Sequence, residues 1–185
     1  AMHAFTIRSL LIALAVALPM VASAPAFASS KAELESASKS ALNELVADVP
    51  GASALNSKAV AVLVFPTITK AGFMVGGQFG EGVLWRKGKP VGYYNTAGAS
   101  YGLQAGAQQY GYAMFFMNQK ALDSLNSTQG FEVGVGPSVV VMDSGMAKNV
   151  TSGTLTEDIY AFVFAQKGLM VGIGIQGNKI SKIQK

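Results

Sequence analysis

The sequence contains no cysteine. That absence excludes disulfides, thiolate metal sites, thiol nucleophiles and lipid-accepting cysteines. Its single histidine, His3, stands at the extreme N-terminal end. Beyond that end, neither a Ser-His nor a Cys-His arrangement can be assembled. Charge is also scarce, at 13 % of residues, and the formal net charge is only +4, too weak to point to nucleic acid. The acids Glu81, Asp123, Glu132, Asp143, Glu157 and Asp158 are scattered, with no EF-hand spacing. Adjacent Glu157 and Asp158 point to opposite sides if extended. A Ser-Lys dyad is formally available, but Ser36-Ala37-Ser38-Lys39 and Asn56-Ser57-Lys58 read better as a helix face and a turn. The sequence therefore gives no expectation of catalytic residues, a metal site or a cofactor.

What the chain does have is apolar residues, half of its 185. That suits one domain with a sizeable core. Residues 1–28 read as a secretory signal peptide. Arg8 supplies the positive start, Leu10 to Leu18 the apolar run, Pro19 its break, and Ala26-Phe27-Ala28 a small-x-small cleavage site. The apolar run is short for a membrane span of about 20 residues. Export to the periplasm, outer envelope or medium is the expectation, with residues 29–185 as the single mature domain.

The domain is organised around a glycine series. Gly72, Gly76 and Gly80 lie four apart, as do Gly98, Gly102 and Gly106. Four apart is one face of a strand or of a helix, so spacing alone does not decide. The company does: Phe73, Val75, Phe79, Val83, Trp85, Tyr93 and Tyr94 favour strands. So many glycines would cost a helix about 1 kcal/mol each. The series therefore predicts strands with one bare face against which something packs closely.

Elsewhere, Ser29 to Ala47 predicts a long helix, with Ser30-Lys31-Ala32-Glu33 as a capping box and an apolar stripe of Leu34, Ala37, Ala41, Leu42 and Leu45. Pro50-Gly51 ends that unit, and Ser53 to Lys58 fits one helical turn. Ala59 to Phe65 is a continuous apolar run, a strand buried on both faces, which Pro66 is expected to stop. Further strands are expected near 72–79, 81–86, 90–95, 99–107 and 109–117, with a turn at Lys87-Gly88-Lys89-Pro90. Asn118 caps a short helix over Gln119 to Leu125. Phe131 to Met142 is a strand region broken by Pro137, and 143–156 a loop. Ile159–Ala165 and Leu169–Gln176 make a hairpin, and a tail with three lysines follows. The fold class is α+β: a strongly curved, mainly antiparallel β-sheet or barrel-like core with an N-terminal helix and one or two short helices.

Two motifs remain. Gly172-Ile173-Gly174-Ile175-Gln176-Gly177 matches G-x-G-x-x-G, but only eight residues follow it, too few for the helix and strand that fingerprint needs. It is read as strand glycine. The second motif is a basic cluster: Arg86, Lys87 and Lys89 in one turn beside Trp85, flanked by Lys58 and Lys70. These five cations are the candidate lipid-headgroup residues and Trp85 the membrane-interface residue, each basic group contributing about 1 kcal/mol near an anionic surface.

The stretches V-L-V-F-P-T-I-T-K-A-G-F-M-V-G-G-Q-F-G-E-G-V-L (62–84), V-G-Y-Y (91–94), G-A-S-Y-G-L-Q-A-G-A-Q (98–108) and A-Q-K-G-L-M-V-G-I-G-I-Q-G (165–177) resemble the SYLF domain family in its bacterial form. The resemblance runs from about residue 32 to 182. It implies a non-enzymatic domain that binds anionic phospholipid or phosphoinositide headgroups, through an N-terminal amphipathic helix and basic surface. Some eukaryotic members bind or bundle actin. An exported bacterial protein meets no cytosolic actin in its own cell, so a lipid or membrane surface is the partner expected first. A protein-interaction scaffold at the envelope is the alternative.

Overall fold

The computed structural model describes residues 29–127, 130–133, 135–142, 155–168 and 178–185, without the side chains of 73, 74 and 100–105. The signal-peptide segment, the loop over 143–154, and 169–177 with its G-x-G-x-x-G motif lie outside the described residues.

The chain opens with α1 (Lys31–Asp48), whose Ser30 cap and Glu33 form the expected capping box. It is followed by α2 (Pro50–Lys58). Pro50 begins this second helix rather than ending a unit, since proline at the first helical position forfeits only an N–H that has no partner there. Then come two very long strands, β1 (Ala61–Arg86) and β2 (Lys89–Phe116), paired antiparallel along nearly their whole length. A short helix, α3 (Gln119–Ser124), is capped by Asn118, whose Oδ1 accepts from the Ala121 N–H at 2.8 Å. The remaining strands are β3 (Phe131–Glu132), β4 (Val139–Met142), β5 (Ile159–Gly168) and β6 (Lys179–Ile183).

One α+β sheet results, strongly curled into a half-barrel. One edge of β2 carries β1; its other edge is shared between β5, along Gln108–Phe116, and β6, along Tyr93–Ala97. β3 continues beyond β6, and β4 lies parallel to β5. The expected run of separate short strands is corrected: 72–86 and 90–117 are stretches of two continuous ones. The lysine tail is corrected too, because Lys179–Ile183 is strand β6 and not a fraying end. Lys185 is also held, donating to Glu81 Oε2 at 2.8 Å and to the Ser29 carbonyl at 2.7 Å.

A 26-residue strand cannot stay straight over a small core, and the glycines show how it turns. At Gly72 a side chain would sit 2.3 Å from the Gly76 Cα. Its register partner Gly106 has φ +132, a conformation open to glycine, and the pairing shifts between Phe73 and Val75. Beyond this corner β1 crosses its own first half. A Cβ on Gly80 would lie 2.8 Å from Ile68 Cγ1, and one on Gly82 would lie 2.6 Å from Phe65 Cδ1. What packs on the bare glycine face is the same strand. Pro66 does not stop β1 but sits at a register shift between Phe65 and Ile68, where an edge strand tolerates its missing N–H.

Alternation then builds two cores. Leu63, Phe65, Ile68, Leu84, Tyr94, Met114, Phe116, Ile159 and Ile180 fill the inside of the curl. Val62, Val64, Val83, Trp85, Phe115 and Phe162 face outward and are covered by Leu34, Leu42 and Leu45 of α1 and Leu55 of α2. The helix stripe is therefore spent on the domain's own sheet. Ser38, fully buried in that stripe, joins the two halves of β1: it accepts from Trp85 Nε1 at 2.8 Å and its hydroxyl reaches the Val64 carbonyl at 3.4 Å. Ser38→Ala leaves the indole N–H without its acceptor. The expected loss is about 1–3 kcal/mol, read as a lower urea midpoint and an altered emission from Trp85, the only tryptophan.

Candidate functional site

The basic turn is a two-residue hairpin. Arg86 and Lys89 close it, and Lys87 and Gly88 both have positive φ, +50 and +74. This is the twist that two-residue hairpins favour, one normally given to Asn-Gly. Lysine in the left-handed region costs about 1–2 kcal/mol relative to the right-handed helical conformation. A side chain kept in a strained position marks a candidate site. Arg86, Lys87 and Lys89 are all exposed. Arg86 Nη2 donates to Gln119 Oε1 at 3.2 Å, which ties the tip to the start of α3.

Because β1 folds over, the tip returns to the first residues of β1 and to the helices. A cavity of about 290 Å³ lies there, lined by Lys39 and Asn43 of α1, Asn56 and Ser57 of α2, Trp85, and Lys87 and Gly88. Lys58 is exposed at the end of α2, next to this lining. The Lys39 ammonium stands 5.1 Å from the centroid of the Trp85 ring. Such a cation–π contact is worth about 0.5–1 kcal/mol at an exposed site. Lys39 was not among the residues singled out from the sequence. Its place eight residues after Lys31 on the helix gave no signal that the hairpin tip would come to it.

Two expected site residues are placed elsewhere. Trp85 is 8 % exposed, with its indole N–H used by Ser38. It forms a wall of the cavity and does not stand at a membrane interface. Lys70 is 3 % exposed, on the inner face of the curl, and does not flank the turn. Strand alternation explains both. Lys70 follows Ile68 on the inner face, and Trp85 follows Val83 on the face that α1 covers. The structure thus brings Lys39 to the same cavity as Lys87, keeps Arg86 and Lys89 beside Lys87 in the turn and Lys58 beside Ser57 of the lining, and removes Lys70 and Trp85 from the exposed surface.

Along the same helix, Lys31 stands 5.4 Å from the Tyr93 ring centroid, and the Tyr93 hydroxyl bonds the Glu35 carboxylate. That bond pushes the Tyr93 phenol up to about 12; burial does the same for Tyr110. Both shifts favour the neutral phenol. Their contribution to stability is intact below pH 10 and is lost as pH rises towards 12. Absorbance titration is expected to show these tyrosines ionising late, with thermal stability falling over the same window.

Lys39 and Lys87, both exposed, line a polar, tryptophan-walled cavity, an arrangement suited to an anion. The fold is a curled-sheet domain with a basic tip. Residues 97–185 match the family model described as "Ysc84: Las17-binding protein actin regulator". That match is consistent with a member of the SYLF domain family, which residues 62–108 and 165–177 resemble. The family is one of lipid- and protein-interaction domains. No curated protein matches the chain.

Proposed function

We propose that this is a non-enzymatic, exported protein of the cell envelope that binds anionic membrane lipid. The observation that carries the reading is one cavity lined by Lys39 and Lys87, with Arg86 and Lys89 beside Lys87 in the turn and Lys58 next to Ser57 of the lining. The headgroup phosphate meets the exposed ammonium and guanidinium groups, while Asn43, Asn56 and Ser57 offer neutral hydrogen bonds within the cavity. Among the described residues no helix is long and apolar enough to cross a membrane. The exposed cations of the tip assign contact to a surface, through charge. The signal-like segment 1–28 supports export.

Co-sedimentation with vesicles tests this reading. Binding is expected with anionic vesicles and not with neutral ones, and it weakens steeply as salt shortens the Debye length to about 8 Å and below. Equal binding to neutral and anionic vesicles would sink it. A finer test uses the strained lysine. Lys87→Gly is expected to raise stability by about 1 kcal/mol, since glycine holds positive φ freely, while weakening binding to anionic vesicles. A rise in stability with binding untouched would remove Lys87 from the site.

The second reading is a protein-interaction scaffold. It is favoured by Val75 and Phe79, 61 % and 51 % exposed on β1. Against it, the glycine face that first suggested a partner is covered by the chain's own Phe65 and Ile68.

A further inference from the structure

The cavity beside the basic tip holds two kinds of polar group and lacks a third. Lys39 and Lys87 supply ammonium groups. Asn43, Asn56 and Ser57, all exposed, supply neutral hydrogen-bonding groups. The Ser57 hydroxyl donates to the Ala54 carbonyl at 2.8 Å, so towards a ligand it is an acceptor. The two amides can both donate and accept. The rest of the lining is Trp85, aliphatic side chains and Gly88. Among the described residues that line the cavity, none is acidic. Trp85 is the aromatic ring there that could seat an organic cation, and it already carries the Lys39 ammonium, 5.1 Å from its centroid.

This lining discriminates between headgroups of equal charge. We propose that the cavity selects a lipid headgroup whose phosphate is its only charge and whose remainder is a neutral polyol, as in phosphatidylglycerol. The inference rests on the lipid-binding reading of the same cavity and adds which headgroup it takes. The phosphate accepts from Lys39 and Lys87. The glycerol hydroxyls, each able to donate and accept, meet Asn43, Asn56 and Ser57. At about 290 Å³ the cavity is at the small end for a ligand site, which suits a headgroup and leaves the acyl chains outside. Phosphatidylserine has the same net charge but brings an ammonium. That ammonium meets two cations and no carboxylate, so the water it gives up is not replaced by a counter-charge. The choline of phosphatidylcholine meets the same deficit. Selection comes from what the cavity withholds from the wrong headgroup as well as from what it offers the right one.

The experiment uses the full chain and phosphatidylcholine vesicles carrying equal mole fractions of phosphatidylglycerol or phosphatidylserine, read by co-sedimentation and by the emission of Trp85, the only tryptophan. The two surfaces have equal charge, so general attraction to an anionic surface cancels in the ratio. Binding is expected to be about tenfold tighter to phosphatidylglycerol. Trp85 emission is expected to change as the phosphate draws Lys39 from the ring. Asn56→Asp places a carboxylate in the lining; it is expected to weaken binding to phosphatidylglycerol and to narrow or reverse the ratio, because the serine ammonium gains a partner. A ratio unmoved by Asn56→Asp would put the selection outside the cavity and overturn the proposal. Equal binding to the two anionic vesicles, both above phosphatidylcholine alone, would overturn the headgroup selection and leave the anionic-surface reading standing. Equal binding to all three vesicles would sink both. Soluble glycerol phosphate separates the sources: an emission change with it and none with the vesicles would make the occupant a free phosphate ester and overturn the lipid assignment.

Discussion

Gly82→Val is expected to destabilise the domain by about 3 kcal/mol, at the upper end of the usual cost of overpacking. Two effects oppose each other. Valine fits a strand better than glycine, a gain of at most about 1 kcal/mol. Against that, a Cβ at this position lies 2.6 Å from Phe65 Cδ1 and 2.7 Å from the Val64 carbonyl oxygen. The ring can move, but the carbonyl belongs to a paired strand and cannot, so the clash wins. Gly77→Ala is the control. Its added Cβ meets only the Gly98 carbonyl at 3.7 Å, an ordinary contact, and the change is expected to be neutral or slightly stabilising. Chemical denaturation of the two variants reads the difference. Equal midpoints would show that β1 does not cross itself as described.

Reversing charge at the tip is the second large effect. In Arg86→Glu with Lys87→Glu, two attractions of about 1 kcal/mol each become repulsions of similar size. The total, about 4 kcal/mol, corresponds to a loss on the order of a thousandfold in affinity for anionic vesicles. Lys167→Glu, an exposed position on β5 outside the tip, is expected to cost far less. Comparable losses from both variants would mean that binding follows net charge and has no site. The stability of the double variant should change little, because both side chains are exposed and Arg86 loses only one surface hydrogen bond, to Gln119.

Much of this fold is legible in the sequence because its signals are local. The capping box at Ser30 and Glu33, the Asn118 cap, the double-sided burial of Ala61–Phe65 and the strand character of the glycine series all depend on residues near one another. Pro66 and the lysine-rich tail misled because their meaning is set at a distance. A proline is allowed where the strand has a free edge, and Lys179–Ile183 is ordered by pairing with residues 93–97. The site was legible to the same degree. Arg86, Lys87 and Lys89 share one turn, so composition found them. Lys39 joins them only because β1 doubles back, and nothing local announces that. Lys70 and Trp85 were misplaced for a subtler reason. Their faces follow from alternation, but which face is covered depends on α1 and on the curl. The glycine spacing recorded a close approach correctly and gave no indication that the approaching surface was the strand itself.

The doubling-back of β1 also bears on how the protein stays apart from its own copies. Among the described residues β1 pairs only with β2, and its outer margin has no strand partner among them. A flat edge of that kind, with Val75 and Phe79 exposed along it, is a template on which another chain can add a strand. The corner at Gly72–Gly76 and the interruption at Pro66 deny that template any long straight run. An incoming strand finds short segments pointing in different directions, one of them lacking a donor. The glycines that let the domain fold around a small core therefore also guard it against edge-to-edge aggregation.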